Sequence, residues 1–184
     1  MDIRQDLHDK LTASQDTINK EYNNFQKIFK TDSKLKIKNS PASTSEAGRA
    51  KFKIRNSGLV EYYGPKNPKT IIIAIGSVVG TVKDTIESEK NVGVLKIKCY
   101  RPFPEKEILS IIQKTEYVAV LDKAISLGGL SPFGIDVLAV AQGKTKVKIK
   151  NYIVGLGGRD ITKKMIKNII VDVKKGNEKL KFIG

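Results

Sequence analysis

Between Thr70 and Gly134 short apolar runs alternate with segments of helical period, and that alternation restricts the chain to a mainly parallel sheet wrapped by helices. Ile71–Ile75 is apolar throughout and rich in β-branched residues, as a strand buried on both faces requires. Gly76 and Ser77 end it, with Ser77 placed to cap a helix whose inner face carries Val78, Val79, Val82 and Ile86. Val92–Ile97 is the next strand. Pro102 and Pro104 stop it, and Glu105 and Glu107 put acid at the positive end of a helix with Ile108, Leu109, Ile111 and Ile112 inward. Tyr117–Leu121 is a third strand, SLGGLSPFG a glycine-rich turn, and Ile135–Ala141 a helix. A strand over Val147–Val154 and a helix capped by Thr162, carrying Met165, Ile166, Ile169 and Ile170, complete the unit; Leu59–Tyr63 reads as a short edge strand before it.

At 184 residues the chain has the size of one domain and can bury a full core without staples. Its one cysteine, Cys99, excludes an internal disulfide framework and any four-cysteine metal site made by this chain alone, and points to a reducing, intracellular setting. No apolar run reaches the ~20 residues of a membrane span, so a soluble, cytoplasmic protein is expected. The net charge is +15, nearly all of it lysine, since the arginines are Arg4, Arg49, Arg55, Arg101 and Arg159. Lysine suits general attraction to anions better than bidentate reading of bases or phosphates.

Ile3, Leu7, Leu11, Ile18, Tyr22, Phe25 and Phe29 recur at helical spacing, which makes residues 1–30 an amphipathic docking helix with one apolar stripe. His8 lies beside Leu7 without ligand-type neighbours and reads as a surface or partly packed side chain. Residues 31–57 lose the periodicity: NSPASTSEAG is small and polar, and the flanking LKIK and KFKI alternate charge with apolarity. This segment reads as a basic flexible linker or insertion, with a basic β-hairpin arm as the alternative. Residues 58–184 form the α/β domain.

Several turns imitate chemistry. GSVVG lacks the spacing of a phosphate loop and reads as a helix start. Gly157, Gly158 and Arg159, within GLGGR, could offer amides and a guanidinium to an anion, or simply turn the chain into the last helix. Arg101 follows a strand where open α/β sheets place ligands, and an ion pair with Asp122 or Glu105 is its plainer role. Asp122 has no histidine, second acid or metal ligand beside it in sequence for general acid–base work. Cys99 reads as an inert, half-buried thiol. No catalytic residue, cofactor site or metal site is expected in this chain.

In order, GLVEYY, TIIIAIGSVVGTVKDTIE, VGVLKIKCYRPFP, YVAVLDKAISLGG and YIVGLGGRDIT resemble the carboxy-terminal domain of the alpha subunit of pyruvate:ferredoxin and related 2-oxoacid:ferredoxin oxidoreductases, from about Gly58 to Ile170. That domain is itself similar to transketolase carboxy-terminal domains. The leading helix, with IFK near its end, resembles the one that joins this domain to the preceding domain in the family. The resemblance implies a three-layer α/β fold, with an open, mixed, mostly parallel sheet, helices on both faces, and the Leu59–Tyr63 strand antiparallel at the edge. It further implies a non-catalytic structural subunit or fragment, inactive alone, of a complex that decarboxylates a 2-oxoacid oxidatively with coenzyme A and passes electrons to ferredoxin.

In that complex, thiamine diphosphate, magnesium and 4Fe-4S clusters would be held by thiamine-binding, gamma and ferredoxin-type subunits. Leu7, Leu11, Ile18, Tyr22 and Phe25 would dock the helix onto them, and Arg101, Asp122, Gly157, Gly158 and Arg159 would supply interface or anion contacts. Ferredoxin and coenzyme A are further partners for the basic surface. The alternative, a basic nucleic-acid-binding module, rests on charge alone, without aromatic platforms.

Overall fold

The computed structural model describes residues 2–31, 53–175 and 178–184. In chain order the elements are α1 (Asp2–Thr31), β1 (Lys53–Asn56), β2 (Val60–Gly64), β3 (Thr70–Ile75), α2 (Val78–Ile86), β4 (Val92–Ile97), α3 (Glu105–Ile112), β5 (Tyr117–Asp122), α4 (Pro132–Ala141), β6 (Lys148–Val154), α5 (Lys163–Asp172) and β7 (Leu180–Ile183). Among the described residues the strands form one seven-stranded sheet of order β1-β2-β4-β3-β5-β6-β7. Pairing is antiparallel on both sides of β2 and parallel from β4 to β7. The mixed, mostly parallel α/β fold is the one expected.

The apolar run Ile71–Ala74 explains why β3 lies at the centre: all four side chains are buried, with partners from β4 on one side and β5 on the other. Alternate residues serve two cores. Ile72 and Ala74 join Ala119, Leu121, Tyr152 and Val154 beneath α2 and α5. Ile71 and Ile73 join Val118, Val120 and Leu95 beneath α3 and α4 on the opposite face, where Ile18 of α1 also packs. The layers are therefore helix, sheet, helix.

That division of helices has a topological consequence. The β3-α2-β4 and β4-α3-β5 connections run in opposite directions across opposite faces, so they share one hand, and β5-α4-β6 repeats it. β6-α5-β7 continues in the same direction as the last two but passes over the α2 face, and so has the opposite hand. Right-handed crossovers are near-universal in such sheets, and this is the exception. The turn that redirects the chain holds Gly155, Gly157 and Gly158 at φ of 64°, 69° and 82°, a left-handed backbone that residues with a Cβ adopt at a cost. Gly157 and Gly158 thus have a structural duty in the turn.

Three readings of the sequence are corrected. Leu59–Tyr63 supplies the antiparallel strand β2, but β1 lies outside it, so β2 is not the edge. β1 falls in the 31–57 segment read as a linker, and residues 32–52 of that segment lie outside the described residues. Ser77 has helical backbone angles and makes no side-chain capping bond to α2, because its φ and ψ already belong to the helix. Thr162 does cap α5, its Oγ1 accepting from the Met165 amide at 3.3 Å.

Candidate functional site

The carboxyl ends of β3 to β6 gather the residues singled out above. Asp122 ends β5 and folds back on its own loop: Oδ1 accepts from the Ala124 amide at 3.0 Å and Oδ2 from the Phe133 amide at 3.1 Å. It fastens the β5 loop to the start of α4. Ser131 Oγ, fully buried, accepts from the Gly134 amide at 3.0 Å and caps that helix. Gly134 lets α4 lie directly on β6, since a Cβ there would stand 2.0 Å from Asn151 Oδ1. The Asn151 side chain is wholly buried, and neither its Nδ2 nor its Oδ1 has a hydrogen-bond partner among the described residues.

Arg101 pairs with neither Asp122 nor Glu105. Its Nη2 lies 2.8 Å from Asp136 Oδ2, on α4, and its Nη1 donates to the Tyr100 carbonyl at 3.0 Å. The guanidinium stacks over the Tyr100 ring, 4.0 Å from its centroid. Tyr100 Oη donates to the same Asp136 oxygen at 2.5 Å. The hydrogen bond to Asp136 raises the Arg101 pKa, and burial together with Asp136 raises that of the Tyr100 phenol. The sequence signal for this pairing was weak because Asp136 sits 35 residues away on a helix. Tyr100, Phe103 and Phe133 meet edge to face behind it, with centroids 5.8 to 6.4 Å apart. The cluster is a braced corner with a half-exposed arginine; the Cys99 thiol donates to the Arg101 carbonyl at 3.0 Å, and Asp136 is the one acid among the described residues that hydrogen-bonds Arg101 or Tyr100.

Arg159, Gly157 and Gly158 lie on the same rim, all exposed, at the start of the redirected crossover. Nothing lies within 4 Å of where a Cβ would stand on Gly157 or Gly158. Exposed apolar side chains share this rim, with Ile75 at the end of β3, Leu127 in the β5 loop and Leu156 after β6.

The second feature is α1, 30 residues and roughly 45 Å long at 1.5 Å per residue. Its middle is fixed to the body. Gln15 Nε2 donates to the Phe103 carbonyl at 2.8 Å, Asn19 Oδ1 accepts from the Gly58 amide at 3.0 Å, and Lys98 Nζ sits 3.5 Å above the Tyr22 ring. Gly58 permits the contact, because a Cβ would stand 2.8 Å from the Ile18 carbonyl oxygen. Ile18 and Tyr22 are therefore committed to this chain's own body, Phe25 is engaged as well although 54% exposed, and Ile3, Leu7 and Leu11 are 85%, 66% and 43% exposed. Among the described residues no three His, Cys, Asp or Glu side chains group as metal ligands, and the sequence holds one cysteine. One cysteine does not by itself fit a four-cysteine iron–sulfur cluster, and no helix among the described residues is long and apolar enough to cross a membrane.

The chain thus joins a parallel-biased α/β domain with a braced carboxyl rim to an anchored helix whose amino-terminal half exposes Leu7 and Leu11. The chain matches the family described as pyruvate:ferredoxin oxidoreductase core domain II over residues 69–166, more than half its length, and belongs to that family. The subunit PorA of pyruvate synthase from Methanocaldococcus jannaschii is 44% identical over 66% of this chain and 32% of its own length. The ketoisovalerate oxidoreductase subunit VorA from Pyrococcus furiosus is 39% identical over 57% of this chain and 28% of its own. A 2-oxoglutarate:ferredoxin oxidoreductase from Magnetococcus marinus, solved with 2-oxoglutarate, coenzyme A and succinyl-CoA bound, superposes with a TM-score of 0.50 at 20% identity, over 63% of this chain and 20% of that one. This likeness is one of fold. The chain spans about a third of the length of the curated relatives it matches.

Proposed function

We propose that this chain is a non-catalytic structural part of a thiamine diphosphate-dependent 2-oxoacid:ferredoxin oxidoreductase, inactive by itself and working in complex with subunits that supply the rest of the relatives' length. The observation that carries the reading is α1: its centre is fastened to a well-packed body while Leu7 and Leu11 stand exposed on the same stripe. An apolar stripe on a rigid, anchored helix is stable in water at a cost that burial against another surface removes. The whole assembly would carry out coenzyme A-dependent oxidative decarboxylation, or its reverse. Relatives named for pyruvate and for ketoisovalerate both match, so the substrate proposed is the 2-oxoacid class.

Thiamine diphosphate, magnesium and 4Fe-4S clusters would reside in the thiamine-binding, gamma and ferredoxin-type subunits. In this reading Leu7, Leu11 and Phe25 face a partner subunit, and Arg101 and Arg159 contact it from the carboxyl rim, with Gly157 and Gly158 admitting its backbone. Asp122 shapes the rim and touches no ligand. The charge of +15 would speed encounter with acidic ferredoxin and coenzyme A, and the cytoplasm is the proposed location.

Reconstitution tests it. Mixed with the thiamine-binding and iron–sulfur subunits of its source, the chain should restore 2-oxoacid- and coenzyme A-dependent ferredoxin reduction that those subunits lack without it. Full reduction in its absence would refute the structural role.

A further inference from the structure

At the amino ends of β5 and β6, opposite the rim, lies a polar cleft of about 390 Å³, lined among others by Gln113, Thr115, Glu116, Tyr117, Lys146 and Lys148. Its volume is within the range of about 300–1,000 Å³ common for ligand clefts. Its one lining carboxylate, Glu116, is engaged by Lys69 at 3.6 Å. Lys146 and Lys148 are exposed and have no carboxylate partner among the described residues, and neither does Lys144 just before them. Lys148 Nζ stands 5.9 Å from the Tyr117 ring centroid.

We propose that this cleft docks an acidic, extended segment of a partner protein. The proposal goes beyond the assembly reading and stands on this chain's own residues. Lys146 and Lys148 stand two positions apart at the entry to β6, about 6.6 Å in extended chain, which is the repeat of same-side carboxylates along an extended acidic peptide, and Lys144 adds a third positive charge from the turn that follows α4. Gln113 brings a side-chain amide to the cleft for a peptide backbone, and the Thr115 hydroxyl, which donates to the Ile112 carbonyl at 2.8 Å, can still accept. Nucleic acid fits less well: no arginine fork lines the cleft, and Tyr117 is the only aromatic platform in its lining. Lys146 and Lys148 leave positive charge beside the cleft that no carboxylate of the described residues neutralises, which complements an acidic segment.

The test is fluorescence anisotropy of the full chain with a labelled octaglutamate peptide at low and physiological salt, against labelled octathymidylate. The expected result is salt-sensitive peptide binding, tighter than the oligonucleotide, that falls about tenfold in Lys146→Glu/Lys148→Glu. Lys164→Glu/Lys167→Glu, the same charge change on α5 at the other end of the domain, should shift it less than about twofold. Should the first pair fail to fold by circular dichroism, Lys146→Gln/Lys148→Gln replaces it, with a several-fold loss expected. Equal loss in both pairs, oligonucleotide binding as tight as peptide binding, or no peptide binding at low salt would overturn the proposal.

Discussion

Lys150 Nζ lies 2.7 Å from Asp172 Oδ2, with 6% of the Lys150 side chain exposed, so a lysine inside the sheet is neutralised by the last residue of α5. Tyr152 Oη donates to the same oxygen at 2.8 Å and Lys181 of β7 to the other at 2.6 Å. One carboxylate thus ties β6, α5 and β7 together where the crossover of opposite hand closes. Asp172→Asn should cost about 2 kcal/mol in urea unfolding, because it leaves the buried Lys150 ammonium with only the exposed Glu178, at 3.5 Å, as counter-charge. A loss below about 1 kcal/mol would show that the pair is solvated in solution.

The same cluster sets the pH response. Burial raises the Asp172 pKa, but hydrogen bonds from Lys150, Lys181 and Tyr152 outweigh it and hold the carboxyl well below its ordinary value. Its contribution is therefore complete above about pH 4 and is lost as acid protonates it below that. Burial, and then Asp172, push the Tyr152 phenol far above its ordinary value. That contribution is complete below about pH 10 and is lost as the pH climbs further. Unfolding midpoints measured from pH 2 to 12 should fall at both ends, and Tyr152→Phe should flatten the alkaline fall.

Gly93 is held free of a side chain by Tyr62. A Cβ there would stand 2.5 Å from Tyr62 Oη and 2.8 Å from the ring. Gly93→Ala should destabilise by roughly 1–3 kcal/mol through overpacking, and Tyr62→Leu in the same chain should recover part of it, a non-additivity seen in a double-mutant cycle.

Gly80 is the reverse case. It is an exposed residue near the start of α2 without positive φ, and an added Cβ would meet nothing within 4 Å. Gly80→Ala should raise stability by about 0.5–1 kcal/mol, read as a shift in the thermal midpoint of the isolated chain.

How far the sequence carried depended on whether a feature was local. Ile71–Ile75 declares itself a central strand because it is apolar on both faces, and Thr162 and Pro104 mark helix starts by their own chemistry. β1 overlaps KFKI, one flank of the alternative hairpin arm, but pairs with β2, and β7 carries no sequence signal: KIRN and LKFI are four-residue edge strands, too short and too charged for a period of two to stand out. The partner of Arg101 was missed because Asp136 reaches it only once α4 has packed beside the β4 loop. The apolar stripe of α1 was legible along its whole length, but which part the body would consume was not, since that depended on Gly58 and Phe103.

The exposed amino-terminal stripe of α1 is tested most directly by light scattering of the chain mixed with the thiamine-binding subunit proposed as its partner. The prediction is a stable stoichiometric complex that Leu7→Asp/Leu11→Asp abolishes while the isolated variant keeps its native thermal midpoint. A complex that forms equally well with the variant, or a wild-type chain that stays monomeric beside that subunit, would contradict it.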